Sequence, residues 1–244
     1  MMLEKSYTHT YDCTYGCGDS NGRIRPAVLA DFLQDAANTH ASHLALEQPG
    51  SHILWFMTRM RLTFTGPIFA DQPITVKTWC RGVKGPSWLR DFSLTGPDGQ
   101  LLGQAATHWA LWDAKQQTIL RPSYLGDPDI YTLTDQPPAP SPERLRLKNP
   151  QPCHRHLVCY SDLDRNQHMN NAKLLDVIGD ALSLHLYPDA YLADLQVHYK
   201  TQCRFQEELC MEKEEPQPGT FLLRGRTQEE IKMEACARLA PLCP

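Results

Sequence analysis

One short segment brings together residues that could perform acid–base chemistry. Asp164, Asn166 and His168 alternate along the chain directly before a stretch with helical periodicity. An imidazole changes its protonation state near neutral pH, a carboxylate can orient it or take the proton itself, and an amide can hold a carbonyl group or a water molecule. Asp and Asn also suit the turns that lead into helices, so a purely structural role for these two residues stays open.

The chain nearly repeats itself around this segment. Tyr15 to Ala36 and Tyr160 to Ala181 align without gaps at an offset of 145 residues. Each copy runs from a polar turn into an amphipathic pattern and then into strand-like sequence. The first copy keeps the acid and the amide but has Arg23 where the second copy has His168. We therefore predict two related domains, one kept for binding and the other for catalysis.

Length and composition are those of an ordinary soluble globular protein. The 244 residues are 41% hydrophobic and 21% charged, and the net charge of −4 favours neither nucleic-acid nor membrane binding. No stretch approaches the roughly 18 apolar residues of a membrane helix, and Met1 to Ser6 is not followed by the apolar run of a signal peptide. The nine cysteines lack the compact spacing of a disulfide framework. We expect a cytoplasmic protein with reduced thiols and with no metal or other cofactor.

Hydrophobic periodicity predicts one helix in each half of the chain, with strands around it. The first helix should begin at Pro26 and end near Leu44, and the second should run from about Asn170 to Leu186. The strands predicted from alternation and turn signals in the first half are Ile53 to Phe64, Ile74 to Arg81, Ser87 to Thr95 and Leu101 to Asp113. Those in the second half are His154 to Tyr160, Leu192 to Thr201, Glu207 to Glu214, Thr220 to Arg226 and Ile231 to Leu239.

The proline-rich stretch between the two halves predicts an interdomain linker, because such proline density disfavours both helix and central strand. We place the N-terminal domain at residues 1–133, the linker at 134–152 and the C-terminal domain at 153–244. A long helix wrapped by an antiparallel sheet, twice over, is an α+β arrangement of the double hot-dog type.

The residues from Asp162 to Asn171 read DLDRNQHMNN and resemble the DLDxNxHxNN signature of the plant and bacterial acyl-acyl-carrier-protein (acyl-ACP) thioesterases. Two segments of the first half are also similar to that family: Asp19 to Pro26 before the first helix and Trp109 to Asp113 before the linker. The order of elements matches over nearly the whole chain. This resemblance implies tandem hot-dog domains.

The resemblance also implies an activity: hydrolysis of the thioester that links a fatty acyl chain to the phosphopantetheine arm of ACP, which ends chain elongation and releases a free fatty acid. The family's catalytic roles fall on Asp164, Asn166 and His168. A further Glu-Cys pair of the family falls on Gln202 and Cys203, so the cysteine is matched and the glutamate is replaced. Cys203 could be a nucleophile or a small buried core residue, and Gln202 could orient water or face solvent.

Thioester hydrolysis requires an activated water and donors for the oxyanion. The N-terminus of the helix after His168 would offer free N–H groups and a positive dipole end. With Gln202 in place of a glutamate, the base must be Asp164 or His168.

Other readings and partners follow from the same residues. The rivals are an acyl-CoA thioesterase, a hot-dog dehydratase and a non-catalytic acyl-binding or regulatory protein. The expected partner is ACP carrying an acyl chain, and the protein itself could form a homodimer.

Side chains that could line an acyl tunnel, or equally form core, are Trp55, Phe56, Met57, Trp79, Trp88, Trp109 and Trp112. Basic residues that could steer an acidic carrier, or equally face solvent, are Arg59, Arg61, Lys77, Arg81, Lys84 and Arg90.

Overall fold

The computed structural model describes residues 4–46 and 52–242. Contacts divide the chain into two compact units. The first unit comprises residues up to Asp12, Phe32–Leu62 and Gln72–Pro142, and the second comprises Cys13–Asp31, Thr63–Asp71 and Glu143–Pro244. Each unit is therefore assembled from segments that are distant in sequence. Met1–Leu3, the start of the segment examined for a signal peptide, lie outside the described residues.

The first unit is a sheet with most of one long helix. Helix α1 is Pro26–His43, and the strands are β1 Ser6–Tyr11, β2 Ile53–Phe64, β3 Ile74–Lys84, β4 Ser87–Thr95, β5 Leu101–Asp113 and β6 Thr118–Leu120. Strands β1, β3, β4 and β5 pair antiparallel in that order, β2 is the other neighbour of β5, and the short β6 pairs antiparallel with the end of β5. The sheet buries Ile74, Val76, Phe92 and Leu94 completely, and these residues alternate along β3 and β4 as a half-buried sheet requires.

The second unit repeats the plan with a shorter helix. Helix α2 is Asn171–Leu182, and the strands are β7 Gln151–Leu157, β8 Ala190–Tyr199, β9 Glu208–Gln217, β10 Thr220–Arg226 and β11 Ile231–Pro241. The sheet order is β8-β11-β10-β9-β7, and each neighbouring pair is antiparallel. The apolar face of α2 buries Leu174, Leu175, Ile178, Ala181 and Leu182. Among the described helices, none is both long and apolar enough to span a bilayer.

The α+β prediction is confirmed, and β2, β4, β5 and β10 have the predicted bounds. Helix α2 ends four residues earlier than predicted, because Ser183 adopts a left-handed conformation with φ of 55°. Strand β7 begins at Gln151 and includes Pro152, which is tolerated because β7 lies at the edge of its sheet. Alternation alone missed the short strands β1 and β6.

Side chains of the first unit hold part of the proposed linker in place. The Arg81 guanidinium donates to the Ala139 carbonyl at 3.3 Å and to the Ser141 hydroxyl at 2.9 Å. The Ala139 N–H donates to the fully buried carboxylate of Asp91 at 3.0 Å. Arg61 also donates to the Ser141 carbonyl at 3.1 Å. Two of the basic residues considered for carrier binding therefore contact the proposed linker, whose boundaries stay a prediction.

A buried histidine links helix α1 to the sheet of the first unit. His40 is 0% exposed; its Nδ1 accepts from the Arg90 guanidinium at 2.9 Å, so its Nε2–H donates to the Glu4 carbonyl at 3.0 Å. The bond from Arg90 requires a neutral ring, because a protonated Nδ1 cannot accept a hydrogen bond. Burial, and then the neighbouring positive charge of Arg90, lower the pKa of His40 to about 4.

We expect this histidine to make the protein less stable in mild acid. The folded state keeps His40 neutral down to about pH 4, whereas the unfolded chain protonates it near pH 6.5, so stability falls as the pH drops through that window. Between pH 7 and pH 5 the contribution amounts to about 2 kcal/mol. Urea unfolding at both pH values should show a smaller difference for His40→Gln than for the parent protein. His43→Gln, an exposed change on the same helix, should behave like the parent; equal behaviour of both variants contradicts the assignment.

Candidate active site

The segment from Asp164 to His168 forms a closed turn held by one carboxylate oxygen. Oδ1 of Asp164 accepts the N–H groups of Asn166 at 2.8 Å and His168 at 3.3 Å. The Asp164 N–H donates to the His168 carbonyl at 2.8 Å, and the Gln167 N–H donates to the Asp164 carbonyl at 3.0 Å. Gln167 takes a left-handed conformation with φ of 62°. The carboxylate therefore has a structural task, as Asx-turns require.

The first copy makes the same turn with the same bonds. Oδ1 of Asp19 accepts the N–H groups of Asn21 at 2.8 Å and Arg23 at 3.0 Å. The Asp19 N–H donates to the Arg23 carbonyl at 2.7 Å, and Gly22, with φ of 73°, occupies the left-handed position. The repeat seen in the sequence is thus a repeat of geometry. A carboxylate at this position is needed by the turn with or without a histidine.

A second chain segment lies beside each turn. In the second copy the Met169 N–H donates to the Cys203 carbonyl at 2.9 Å, and His168 forms a β-bridge with Arg204. The structure therefore brings the segment that contains Gln202 and Cys203 next to the turn that contains His168. In the first copy the Ile24 N–H donates to the Ile68 carbonyl at 2.9 Å. By this equivalence Cys203 corresponds to Ile68, and Gln202 to Pro67.

The side chains of the set differ in exposure. Asn166 and Gln202 are exposed, while Asp164 and His168 are half-buried. The His168 Nδ1 atom is buried and has no hydrogen-bond partner within the described residues. An unsatisfied buried nitrogen costs about 1–3 kcal/mol, so a water or ligand atom is the natural partner.

Cys203 has the environment of a core residue. Only 5% of it is exposed, and burial is the main cause that raises the pKa of its thiol to about 11. The thiol is therefore protonated at neutral pH, and a thiol attacks poorly in that form. Its counterpart Ile68 is buried to the same 5%. This position is thus apolar and buried in both copies.

The start of helix α2 completes the surroundings of the turn. Oδ1 of Asn170 accepts the Ala172 N–H at 2.8 Å and caps the helix. The Asn170 N–H in turn donates to the Asp162 carbonyl at 2.8 Å. The Asp162 carboxylate is held by His156 Nε2 and by the Cys159 N–H, both at 2.8 Å. These bonds fix the direction in which the first turn of the helix presents its remaining N–H groups.

A buried lysine fixes the Gln202–Arg204 segment, and sequence reasoning missed it. Lys232 is 2% exposed and donates to the Gln202 carbonyl at 2.8 Å. It also pairs with Glu207 at 2.9 Å and Glu230 at 2.8 Å. Glu207 in addition accepts the Arg204 N–H at 2.9 Å. The only signal in the sequence was the neighbouring Glu230, since a lysine on a strand is normally exposed.

This network controls the protonation of its members. Burial alone would raise the pKa of Glu207, but the bonds from the Arg204 N–H and from Lys232 outweigh it and hold that pKa below its usual value. The hydrogen bond from Lys232 likewise lowers the pKa of Glu230. Burial would lower the pKa of Lys232, but its two carboxylate partners raise it. All three groups are therefore charged at neutral pH.

The first unit contains an apolar cavity of about 450 Å³, including the part open to solvent. Its wall is formed by Ala37, Asn38, Ala41, Leu46, Trp55, Cys80, Trp88, Leu89, Arg90 and Trp109. Three of the tryptophans considered for an acyl tunnel thus line a cavity. Trp79 is instead buried in the core at 2% exposure, and Phe56 packs against Trp112 with ring centroids 6.2 Å apart. Arg90 is only 6% exposed, which makes it a wall residue and not a carrier contact.

Comparison with known proteins identifies the family of this chain. Family models for the acyl-ACP thioesterase N-terminal domain and C-terminal domain match residues 4–122 and 147–236. A palmitoyl-ACP thioesterase of Gossypium hirsutum is 23% identical over 195 residues, which cover 72% of this chain and 47% of that protein. The oleoyl-ACP thioesterase 1 of Arabidopsis thaliana is 21% identical and covers 76% of this chain and 57% of its own length. The chain thus spans about half the length of these curated plant relatives.

Solved structures agree in fold. The crystal structure of an acyl-ACP thioesterase from Bacteroides thetaiotaomicron superposes with a TM-score of 0.88 at 22% identity, covering 97% of this chain and 98% of that one. The 12:0-ACP thioesterase from Umbellularia californica gives 0.84 at 14% identity, with 98% of each chain covered. The fold is therefore the predicted double hot-dog, a class in which each domain carries a central helix on an antiparallel sheet. Because both family models match and together span most of the sequence, the chain belongs to the acyl-ACP thioesterase family.

We expect Lys232→Met to destabilise the protein more at neutral pH than at acidic pH. Both glutamates have lowered pKa values in the folded state, so their contribution is present above about pH 4.5 and is lost as the pH falls through the folded pKa values. At pH 7 the variant should lose about 1–3 kcal/mol through its missing charged hydrogen bonds. Urea unfolding at pH 7 and pH 4 measures both effects. Lys173→Met, which removes a half-exposed pair with Asp176, is the control; an equal loss in both variants contradicts the assignment.

Proposed function

We propose that this chain hydrolyses the thioester of fatty acyl-ACP and releases the free fatty acid. The observation that carries the proposal is the difference between two otherwise matching turns. In both turns an aspartate side chain holds the backbone. Only the second turn has an imidazole, His168, and the buried Nδ1 of that ring lacks a partner within the described residues. Membership in the acyl-ACP thioesterase family supports the same reaction.

In the proposed mechanism His168 is the general base. Oδ1 of Asp164 already accepts two N–H groups, so the imidazole is better placed to take a proton from water. The resulting hydroxide attacks the thioester carbonyl carbon, and the negative charge moves to the carbonyl oxygen. The intermediate then collapses, the C–S bond breaks, and the imidazolium returns the proton to the leaving thiolate.

The oxyanion has two sources of stabilisation near His168. The first turn of helix α2 offers N–H groups and the positive end of its dipole, and the exposed Asn166 side chain offers an amide donor. One donor of this kind contributes on the order of 10²-fold to 10³-fold in rate. The charge of Asp164 would stabilise the imidazolium while its Oδ1 holds the turn.

Cys203 has a supporting role in this proposal and does not form an acyl-enzyme. Its thiol is buried with a raised pKa of about 11, and the matching residue in the first copy is Ile68. Gln202 contributes its carbonyl to Lys232, while its side chain is exposed and free to orient water. The missing family glutamate is thus replaced by the imidazole as base.

The cavity of the first unit is the proposed chamber for the acyl chain. Tryptophan, leucine and alanine side chains dominate its wall, and such an apolar surface suits an alkyl chain. This assignment gives the first half the binding role and the second half the chemistry. The ACP partner, a homodimer, the cytoplasmic location and the domain boundaries at residues 133 and 153 belong to the same proposal.

Loss of the imidazole tests the reaction. We expect His168→Ala to lower kcat on acyl-ACP by about 10²-fold to 10⁴-fold with little change in KM. The substitution removes the proposed base but leaves the proposed acyl-chain cavity of the first unit unchanged. Release of the ACP thiol, followed with a thiol-trapping dye, measures turnover. His185→Ala, an exposed histidine of the same unit, is the matched control and should keep parent activity. Binding of acyl-ACP without turnover by the parent protein would instead identify a non-catalytic acyl-binding protein, and water addition or loss without thiol release a dehydratase.

Narrowing the cavity tests the acyl chamber. Ala41 lines it from helix α1, so Ala41→Leu adds side-chain volume where we place the alkyl chain. We expect the preferred substrate to shift toward shorter chains, by about tenfold in the kcat/KM ratio, when a panel of acyl-ACPs from eight to eighteen carbons is assayed. Ala114→Leu makes the same chemical change at an exposed site and should leave the preference as it is. An unchanged preference in the Ala41 variant would place the chain elsewhere.

A further inference from the structure

A second cavity, of about 520 Å³ including the part open to solvent, lies in the second unit at the turn of the first copy. Its wall is formed by Asp19, Arg23, Ile24, Pro26, Leu29, Phe64, Gly66, Pro67, Ile68, Leu184, Tyr187, Ala190, Tyr191, Leu192 and Leu239. Arg23, Pro67 and Ile68 are the counterparts of His168, Gln202 and Cys203. The cavity therefore occupies the place in the first copy that the proposed catalytic set occupies in the second.

The residues that line this second cavity do not support hydrolysis. The histidine position holds Arg23, whose guanidinium stays protonated and cannot act as a base. Pro67 and Ile68 bring no acid or nucleophile. What remains is a wall of aliphatic and aromatic side chains, most of it from Leu184, Leu192, Leu239 and their neighbours. Such a wall suits an alkyl chain, because burial of apolar surface is favourable by about 25 cal/mol per Å².

Arg23 adds a fixed positive charge to this apolar wall. Its guanidinium donates to the carbonyls of Tyr187 at 3.1 Å, Pro188 and Ala190. These carbonyls orient the side chain but do not neutralise it, and within the described residues no carboxylate forms an ion pair with it. Asp19 also lines the cavity, but its Oδ1 is taken up by the two N–H groups of the turn. Not all donors of the guanidinium are used, and its Nε has no partner in the described part of the chain.

We propose that this cavity is a second binding site that holds a free fatty acid without hydrolysing anything. The alkyl chain would lie against the apolar wall, and the carboxylate would pair with Arg23 by a charge-assisted hydrogen bond. The choice of ligand rests on the proposed function, since a free fatty acid is its product. The binding itself requires no turnover.

A photoreactive ligand tests the site directly. The probe is a dodecanoic acid with a diazirine in its chain, cross-linked to the His168→Ala protein so that no reaction intervenes. Mass spectrometry of the digested protein should find label on peptides that contain Phe64–Ile68 and Leu184–Leu192, in addition to peptides from the cavity of the first unit. Absence of label from these two segments, at a probe concentration that saturates the other cavity, overturns the proposal.

A charge variant tests the role of Arg23. Arg23→Met should lower labelling of the two segments by about tenfold or more, because the ligand loses its charged partner. Labelling around Trp88 should stay the same. Arg25→Met is the control: Arg25 bonds to Asp176 at 3.4 Å and to the Gly16 carbonyl at 3.2 Å, and it does not line the cavity.

A ligand variant keeps the test independent of protein folding. The corresponding diazirine alcohol lacks the carboxylate and should label the two segments of the unaltered cavity about tenfold less than the acid. Equal labelling by acid and alcohol overturns the role of Arg23. If the parent protein releases no thiol from acyl-ACP but the acid still labels these segments, the proposed function fails and the binding site stands. If thiol is released but the segments stay unlabelled, the proposed function stands and the second binding site fails.

Discussion

Two backbone turns, each held by a single carboxylate oxygen, are the interaction on which the rest of the site depends. Oδ1 of Asp19 and Oδ1 of Asp164 each accept two backbone N–H groups at distances from 2.8 to 3.3 Å. Without that acceptor the N–H groups would lose their partners, and the left-handed residue of each turn would not be held. The residue that closes the turn, Arg23 or His168, owes its position to this bond. The turn must therefore form before either side chain can act.

Because the backbone holds the turn, the side chain at its last position is free to differ. In the first copy this freedom gives a guanidinium bonded to the carbonyls of Tyr187, Pro188 and Ala190. In the second copy it gives an imidazole whose buried Nδ1 has no partner in the described part of the chain. The proposed function thus separates binding from chemistry on one duplicated scaffold with few substitutions. The neighbouring segment shows the same freedom, since Ile68 and Cys203 are equally buried and chemically different.

The sequence predicted well those features that depend on neighbouring residues. Alternation and the Gly96–Gly99 turn determine strands β4 and β5, and both have the predicted bounds. Features set by distant contacts could not be predicted. Lys232 lies on a strand where a lysine is normally exposed, and its burial depends on carboxylates and a carbonyl brought from elsewhere in the chain. The structural task of Asp164 was one of two readings of the sequence, and only the hydrogen bonds show it.

Around the turn from Asp164 to His168, the groups that maintain the shape of the site are distinct from the proposed general base. Lys232 and Glu207 neutralise each other, the thiol of Cys203 is protonated, and Oδ1 of Asp164 is bonded to the backbone. Each would disturb the scaffold if it gained or lost a proton during a reaction. His168 differs, because its backbone N–H holds the turn while its ring does not. The ring is therefore not part of what holds the turn, which agrees with its proposed role as the general base.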